Sequence, residues 1–326
     1  MMLQQINAEA LLNVSELTVH RGPAKILDRV SLSLAKGETL ALVGESGAGK
    51  STIATALMQL LDGAEVEGTA DFQGAGDLLS MRKREMVTLR GQRLSMIFQD
   101  AGAALNPAYT VGRQLITTLR RNLGLSRSEA RIRAIELFTQ VGINDAEARL
   151  SAFPHQLSGG MQQRVMVAIA LACNPDLLLA DEPTSALDVT IQAQIIRLIL
   201  QLTRERGASC IFVLHDLALA SQSCDRIVVL YAGQVVESGP SEEVLKRHRH
   251  PYTRQLESCV LEIGRKDLQA PEGTVPSHDQ MPAGCRFATR CPRALERCAG
   301  EAPPLTPADP ARSDARDHLF ACWNPE

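Results

Sequence analysis

The chain has 326 residues, of which 45% are hydrophobic and 22% are charged, and its formal net charge is -3. This balance is ordinary for a globular protein and argues against extensive disorder. It gives no support for nucleic-acid binding, which usually requires a concentrated basic patch. Because no apolar run approaches the about 18 residues that span a bilayer, and the first residues lack a leader pattern, we expect a cytosolic chain.

The N-terminal segments predict short strands that lead into a loop and a helix. Residues 12–19 and 30–34 alternate apolar and polar side chains, whereas residues 39–43 form a nearly continuous apolar strand. A glycine-rich loop follows. Apolar residues at helical spacing then predict a helix over residues 51–61.

Residues 100–157 have a helical pattern. Ser126 and Glu129 have the spacing of a capping box, and Gly142 fits a helix C-terminus. The predicted apolar face of this helix consists of Ile132, Ile135, Leu137, Phe138 and Val141. We therefore expect an all-helical insertion over this range.

Strand and helix signals alternate again after the insertion. Strands are predicted at residues 177–180 and 209–214 with a helix over 189–202 between them, and a hairpin over 227–237 is expected to close the core. This alternation predicts a doubly wound α/β core. From about Gln269 the chain is rich in proline, arginine and cysteine and lacks apolar periodicity. Such a tail cannot build an ordinary core, so we expect it to be held by a cross-link or by a partner.

The segment GESGAGKS at residues 44–51 matches the phosphate-loop pattern GxxxxGK(S/T) between a predicted strand and a predicted helix. The glycines let successive N–H groups face an anion, Lys50 adds charge toward the β and γ phosphates, and the Ser51 hydroxyl is placed for Mg²⁺. A chance glycine-rich turn is the alternative, and the flanking elements argue against it. The predicted ATP-binding residues here are Gly44, Glu45, Ser46, Gly47, Ala48, Gly49, Lys50, Ser51 and Thr52.

Two carboxylates follow the apolar run LLLA at residues 177–180. In such an arrangement one carboxylate orients magnesium and the next activates water, so we assign Asp181 to the metal and Glu182 to the general base. Taken alone, the same residues also fit a buried strand followed by a solvated acidic turn.

The segment LSGGMQQR at residues 157–164 precedes a predicted helix and resembles the signature of ATP-binding cassette proteins. A serine and two glycines at a helix N-terminus make a second anion site, which completes an ATP pocket only when it is presented from another copy. A simple helix cap is the alternative. The residues predicted to contact ATP in trans are Ser158, Gly159, Gly160 and Gln162.

Other segments match the ATP-binding cassette family in the expected order. The resemblance implies that Gln99 contacts ATP, magnesium and the attacking water, and that His215 holds the γ-phosphate as a catalytic residue beside Glu182. The implied magnesium ligands are Ser51, Gln99 and Asp181. The loop implied to contact a second subunit consists of Ser185, Ala186, Leu187 and Asp188.

One position departs from the family pattern. The family commonly places an aromatic ring against adenine near residue 20, whereas this chain has His20 and Arg21 there. Imidazole or guanidinium stacking can replace the ring. The departure concerns base selectivity and leaves the phosphate chemistry unaffected.

Two further stretches resemble one branch of the family, the peptide and nickel importers. They are HPYT at residues 250–253, and GCRF together with RCP within residues 284–292. The resemblance covers nearly the whole chain and is close to the dipeptide and oligopeptide permease ATPases. It implies an α/β P-loop NTPase cassette with a RecA-like parallel-sheet core, an antiparallel β subdomain, a helical insertion and a small cysteine-rich extension. The implied domains are an ATP-binding domain at 1–265, with a helical subdomain at about 100–172, and the extension at 266–326.

The function implied by this branch is ATP hydrolysis that powers the import of dipeptides or oligopeptides, with nickel or another small solute as the alternative. The implied partners are two transmembrane permease subunits, a second related or identical ATPase subunit and, indirectly, an extracytoplasmic solute-binding protein. The chain is then a peripheral protein on the cytoplasmic face of the inner membrane.

Two other functional classes compete with this interpretation. A soluble cassette ATPase of DNA repair or translation usually has two cassettes or a long coiled-coil insertion, and neither is visible. A metal-sensing module with a degenerate ATP site is disfavoured because Lys50, Asp181, Glu182 and His215 are all intact.

Four cysteines near the C-terminus have the spacing C-x5-C-x6-C-x23-C. Zinc modules usually contain C-x2–4-C pairs, so these spacings fit zinc poorly. The family resemblance implies a 4Fe-4S cluster that pins the tail, while zinc, disulfides and unbound thiols stay open as alternatives. The expected cluster ligands are Cys285, Cys291, Cys298 and Cys322.

Overall fold

The computed structural model describes residues 10–185, 188–258, 274–276, 280–310 and 317–326. The strands are β1 (Ala10–Arg21), β2 (Ala24–Ala35), β3 (Thr39–Val43), β4 (Glu65–Phe72), β5 (Gly76–Asp77), β6 (Leu94–Ile97), β7 (Leu177–Asp181), β8 (Ser209–Leu214), β9 (Arg226–Tyr231), β10 (Gln234–Pro240), β11 (Thr306–Pro307) and β12 (Leu319–Phe320). The helices are α1 (Lys50–Leu57), α2 (Lys83–Leu89), α3 (Ala101–Ala104), α4 (Val111–Leu123), α5 (Arg127–Gln140), α6 (Ala146–Arg149), α7 (Gly159–Ala170), α8 (Val189–Glu205), α9 (Leu217–Ser223), α10 (Ser241–Lys246), α11 (Pro251–Ser258) and α12 (Arg297–Gly300). None of the helices within the described ranges combines the length and the apolar character that a membrane crossing requires.

The chain divides into two compact units. The first, which we call the sheet unit, contains Met1–Met81 and Val213–Glu326. The second, which we call the helical unit, contains Arg82–Phe212. The boundary between Phe212 and Val213 falls within β8, so this strand belongs partly to each unit.

The sheet unit contains a four-stranded antiparallel sheet in the order β2-β1-β4-β5. Leu12 on β1 lies opposite Leu34 on β2, and both side chains are fully buried. In β1, the buried side chains of Leu12 and Val14 flank the half-buried Asn13, because successive side chains point to opposite faces of a sheet. The two strands predicted near the N-terminus are confirmed, and both are longer than the predicted segments.

The second sheet contributes five strands to this unit, in the order β11-β12-β10-β9-β3. β3 runs parallel to β9, and β9 forms the predicted hairpin with β10 through Ala232 and Gly233. Both turn residues have positive φ, +47° and +82°, as a tight hairpin turn requires. However, β10 also pairs with β12, where Ser238 lies opposite Leu319. The prediction that the hairpin closes the core is therefore wrong, because the tail adds two strands.

The tail packs onto the sheet unit through side chains as well as strands. Phe287 is 1% exposed and lies against Tyr231 and Tyr252, with ring centroids 5.2 and 5.4 Å away. Beside it, Arg286 donates a hydrogen bond from Nη2 to Asp28 Oδ2 at 2.7 Å. We expected the tail to need a cross-link or a partner protein to hold it in place. Instead, it is held by contacts with the chain's own core.

In the helical unit, β6 and β7 pair in parallel, and helices α3 to α7 lie between them in the chain. The predicted capping box begins α5. Ser126 Oγ accepts the Glu129 N–H at 3.3 Å, and the Glu129 carboxylate accepts the Ser126 N–H at 2.9 Å. Gly142 follows the helix with φ +75°, as its C-terminal position predicts. The all-helical insertion is confirmed over residues 101–157, all of which are described.

The buried face of α5 lacks two of the predicted residues, because Ile132 is exposed and Ile135 is only half-buried. Leu137 and Phe138 are fully buried as expected, whereas Ile132 is 60% exposed. Ala130 and Ala134 are fully buried. Ala134 precedes Leu137 and Phe138 by three and four residues, and Ala130 precedes them by seven and eight, so both alanines lie on the same helix face as that pair. Including Ile132 in the apolar face was wrong, since small alanines occupy the buried positions.

Candidate nucleotide-binding site

The phosphate loop connects β3 to α1 within the sheet unit. Gly49 forms the N-cap of α1 with φ +95°, a left-handed conformation that favours glycine. Lys50 is 4% exposed, and its Nζ donates hydrogen bonds to Gly44 O at 2.7 Å and Glu45 O at 2.9 Å. The ammonium group thus binds the start of the loop. The predicted order of strand, loop and helix is confirmed.

The start of this loop lies very close to β9. A Cβ atom at Gly44 would be 2.2 Å from the main-chain oxygen of Leu230, so a side chain cannot fit there. The end of the loop is held by Ala48 O, which accepts the Gly233 N–H at 3.0 Å. All nine predicted residues between 44 and 52 lie on this loop and the first turn of α1.

Glu45 is held by two residues that come much later in the chain. Its N–H donates to the Tyr252 hydroxyl at 2.8 Å. Arg290 donates from Nη1 and Nη2 to the two carboxylate oxygens at 3.0 and 3.1 Å. The segments of Tyr252 and Arg290 resembled one family branch in sequence, but their contact with the phosphate loop was not predicted.

The predicted metal ligand and general base end β7 in the helical unit. Asp181 is buried at the last position of the strand, and Glu182 follows it half-buried. Gln99 comes shortly after β6, the strand beside β7, and its Nε2 donates to Glu182 Oε2 at 2.8 Å. The carboxyl ends of parallel strands meet at one edge of a sheet, which explains why these side chains meet.

The backbone at Glu182 is strained. Its φ is +43°, in the left-handed region that costs a non-glycine residue about 1–3 kcal/mol. The Ser185 N–H donates to Glu182 O at 3.2 Å, and Gln192 Nε2 donates to Thr184 O at 3.1 Å. Such strain is typical of functional sites, because the surrounding contacts fix the direction of the side chain.

The loop predicted to contact a second subunit is described in part. Ser185 lies in the turn after Glu182 and is exposed. Ala186 and Leu187 lie outside the described residues. Asp188 is exposed and forms the N-cap of α8.

The signature segment begins α7 in the helical unit. Ser158 is the N-cap, and its Oγ accepts the Met161 N–H at 3.4 Å. Ser158 and Gly159 are exposed, so this helix N-terminus is accessible to an anion. Gln162 Nε2 donates to the carbonyls of Pro154 and Leu157 at 2.9 and 3.2 Å, which holds the preceding turn. The sequence did not indicate this second role of Gln162.

His215 is exposed and directly follows β8, as predicted. The next residue, Asp216, caps α9 by accepting the N–H groups of Ala218 and Leu219 at 2.7 and 3.0 Å. His20 lies in β1 between two strands, opposite Lys25 and Glu65.

The cysteines of the tail do not form the expected 4Fe-4S site. Among the described residues, which include Cys285, Cys291, Cys298 and Cys322, no group of three or more His, Cys, Asp or Glu side chains is arranged to hold a metal ion. Burial raises the pKa of Cys285 to about 11 and also raises the pKa of Cys291 and Cys322. The cluster prediction is therefore wrong, and the tail is anchored by its packing and ion pairs.

Each unit, taken by itself, offers groups that suit ATP or magnesium. The phosphate loop offers main-chain N–H groups at a helix N-terminus and the ammonium of Lys50. The Ser51 hydroxyl belongs to the same loop of the sheet unit. Within the helical unit, Gln99 and Asp181 offer amide and carboxylate oxygens, a type of ligand that magnesium prefers.

Comparison with known proteins agrees with this chemistry. Residues 27–185 match the ABC transporter family, and residues 236–298 match the family described as "Oligopeptide/dipeptide transporter, C-terminal region". The chain is 46% identical over 304 residues to the dipeptide transport ATP-binding protein DppD of Escherichia coli, covering 91% of this chain and 93% of that protein. It is 43% identical over 304 residues to the oligopeptide transport ATP-binding protein AppD of Bacillus subtilis, covering 90% of this chain and 92% of that protein.

A solved structure shares the fold. The ATP-binding cassette MJ0796, a dimer in a post-hydrolysis state with ADP and phosphate, matches with a TM-score of 0.63 and 29% identity, covering 71% of this chain and 98% of that one. The predicted cassette fold is thereby confirmed. ATP hydrolysis is the general activity of such cassettes, and this chain belongs to the ATP-binding subunits of ABC transporters, in their dipeptide and oligopeptide branch.

Proposed function

We propose that the chain hydrolyses ATP to drive the import of dipeptides or oligopeptides through two transmembrane permease subunits. The observation that most directly supports hydrolysis is the hydrogen bond between Gln99 and Glu182 at the end of β7. The names of the relatives support peptides as the cargo. Nickel or another small solute is the alternative within the same branch.

Each residue of the site has a proposed role in attack by water on the γ-phosphate. Lys50 and the loop N–H groups bind the phosphates, and His215 holds the γ-phosphate. Glu182 accepts a proton from the water, which Gln99 helps to orient, and ADP leaves with the bridging oxygen. Ser51, Gln99 and Asp181 would hold magnesium, which would supply positive charge beside the phosphate oxygens.

The active form in this proposal contains two ATPase subunits. The exposed N-terminus of α7 at Ser158 supplies a second anion site, which completes the ATP site of a related or identical subunit. Ser185 and Asp188 lie on the loop proposed to contact that subunit. ATP closes the pair, and loss of the γ-phosphate reopens it. The dimeric state of the MJ0796 cassette supports this arrangement.

The same proposal locates the chain and divides it into domains. It acts at the cytoplasmic face of the inner membrane, attached to its permease subunits, with an extracytoplasmic binding protein as an indirect partner. Residues 1–265 form the ATP-binding domain, with a helical subdomain at about 100–172. Residues 266–326 form the extension.

Uptake of labelled substrate tests the proposal. Cells that produce the chain with its permease subunits and binding protein are given a labelled dipeptide, a labelled tripeptide or a labelled nickel chelate. We expect uptake of peptide, and loss of that uptake in a Lys50→Ala variant. Uptake of the nickel chelate alone would favour the alternative cargo, and peptide uptake unaffected by Lys50→Ala would contradict the proposal.

A further inference from the structure

The C-terminal part of the chain forms direct contacts with the phosphate loop at Glu45. Arg290 lies 245 positions after Glu45, and its guanidinium binds both carboxylate oxygens, at 3.0 and 3.1 Å. The side chain of Arg290 is 4% exposed and that of Glu45 is 24% exposed. A two-point ion pair with this degree of burial has a fixed geometry and is screened less than a surface pair.

Aromatic rings fix the position of Arg290. Its Nη1 also donates to the Tyr231 hydroxyl at 3.2 Å, and its guanidinium carbon lies 5.7 Å from the centre of the Tyr231 ring. Tyr231 packs edge-on against Tyr252 with ring centroids 4.7 Å apart. Because the Tyr252 hydroxyl accepts the Glu45 N–H, the same cluster holds the main chain of Glu45 as well as its carboxylate.

The charge of Glu45 is unfavourable in its position. The phosphate loop binds a polyanion, and a free carboxylate at its second residue repels the phosphates. Arg290 neutralises this carboxylate and keeps it bound. Burial raises the pKa of Tyr252 well above its ordinary range, so its hydroxyl stays neutral and adds no second negative charge.

We propose that Arg290 is a positioning residue of the ATP site, which supports nucleotide binding by neutralising and orienting Glu45. This inference rests on the proposed ATPase function and adds that the C-terminal segment tunes the affinity for ATP. Arg290 acts through Glu45 and need not touch the nucleotide.

A double-mutant cycle on the full-length chain tests the inference through the Kd of ATP, measured by calorimetry. Arg290→Met is expected to weaken ATP binding about tenfold, which corresponds to about 1.4 kcal/mol. Glu45→Gln alone lies in the phosphate loop but removes the charge that Arg290 neutralises, so we expect it to weaken ATP binding clearly less than Arg290→Met does. In the double variant, Glu45→Gln is expected to restore most of the affinity lost by Arg290→Met, because no carboxylate is left to repel the phosphates.

The matched control is Arg293→Met, three residues along, where the arginine pairs with Glu326 at 3.3 Å. We expect this variant to bind ATP as the wild type does. If Arg290→Met weakens binding and Glu45→Gln fails to restore it, or if Glu45→Gln alone weakens binding as much, the inference is overturned. If Arg290→Met does not fold, Arg290→Lys takes its place in the cycle: it keeps the positive charge but loses the two-point contact, so we expect it to weaken ATP binding and Glu45→Gln to restore most of the loss.

The test separates this inference from the proposed function. If the wild-type chain does not bind ATP, or Lys50→Ala binds it equally well, the ATPase proposal fails. If the wild type binds ATP, Lys50→Ala does not, and Arg290→Met binds as the wild type does, only the role of Arg290 is contradicted.

Discussion

Gln99 donates a hydrogen bond to Glu182, with 2.8 Å between Nε2 and Oε2. The backbone of Glu182 is in the left-handed region, with φ +43°, and the amide of Gln99 holds its carboxylate. This hydrogen bond joins two motifs that are 83 residues apart in the chain and that we propose to act together in hydrolysis.

Removing the amide of Gln99 should slow hydrolysis more than it weakens ATP binding. We expect Gln99→Ala to lower kcat by about 10- to 100-fold, because the base and the water lose their orientation. The Kd of ATP should change by less than about threefold, since the phosphate loop is untouched. Phosphate release and calorimetry measure the two quantities. Gln92→Ala, which removes an amide bonded to Asn122 O, is the control, and an equal loss of kcat in that variant would contradict the prediction.

Blocking Ser158 should separate ATP binding from subunit association. Ser158→Arg fills the exposed N-terminus of α7, so we expect ATP-dependent association with the second ATPase subunit to be lost. The Kd of ATP for the isolated chain should stay within about threefold of the wild type, because this segment is proposed to bind the nucleotide of the other subunit. Light scattering of the mixed subunits with and without ATP measures association. Thr139→Arg on the exposed side of α5 is the control, and association that survives Ser158→Arg would refute the shared-site arrangement.

The buried carboxylate of Glu237 should be a main stabilising contact between the sheet and the tail. It is fully buried and accepts the N–H groups of Arg249 and His250 at 2.7 and 3.0 Å, and it lies 2.6 Å from His318 Nε2. Glu237→Ala leaves these groups unpaired, so we expect it to lower the free energy of unfolding by about 3 kcal/mol.

Urea unfolding followed by circular dichroism measures this loss. Glu242→Ala is the matched control, because Glu242 pairs only with Lys246 in the described structure and both are exposed, and it should change the stability by less than about 0.5 kcal/mol. Equal effects of the two substitutions would show that Glu237 does not anchor the tail.

His250 should make the stability depend on pH in the acidic range. Burial lowers the pKa of His250 to about 4, and the Glu237 carboxylate offsets only part of this shift. Between pH 6.5 and 4 the unfolded chain therefore binds a proton that the folded chain does not, so the free energy of unfolding should fall as the pH falls, by up to about 3 kcal/mol.

Replacing this histidine should flatten the profile. His250→Asn removes the titrating group, so stability between pH 6.5 and 4 should decline less steeply than in the wild type, as measured by urea unfolding at a series of pH values. His248→Asn, two residues away and half-buried, is the control. A wild-type slope in the His250 variant would mean that other groups cause the dependence.

The parts of the site that the sequence predicts best are local. The spacing of Gly49 and Lys50 fixes a loop between a strand and a helix, and the apolar strand before Asp181 fixes where the acidic pair emerges. These features depend on neighbours a few residues away. The capping box of Ser126 and Glu129 is predictable for the same reason.

The contacts that escape prediction join distant segments. Nothing near Glu45 indicates that Arg290 binds it, because that ion pair requires the tail to fold back onto β9 and β10. Cysteine spacing alone does not determine whether four cysteines form a metal site, and within the described chain these four do not. Ile132 shows a third limit, since a large apolar side chain can lie on the solvent side of a helix whose buried face uses alanine.

The most direct test of the account is ATP hydrolysis by the Glu182→Gln variant, with the full-length chain assembled with its second ATPase subunit and permease subunits. We expect phosphate release at the sites of this chain to fall by about 100-fold or more while ATP binding is retained, because the base is lost and the phosphate loop is intact. The control is Glu147→Gln, which changes an exposed glutamate of the helical unit that also contains Glu182. This variant should hydrolyse ATP as the wild type does. Unchanged hydrolysis in Glu182→Gln would contradict the central claim.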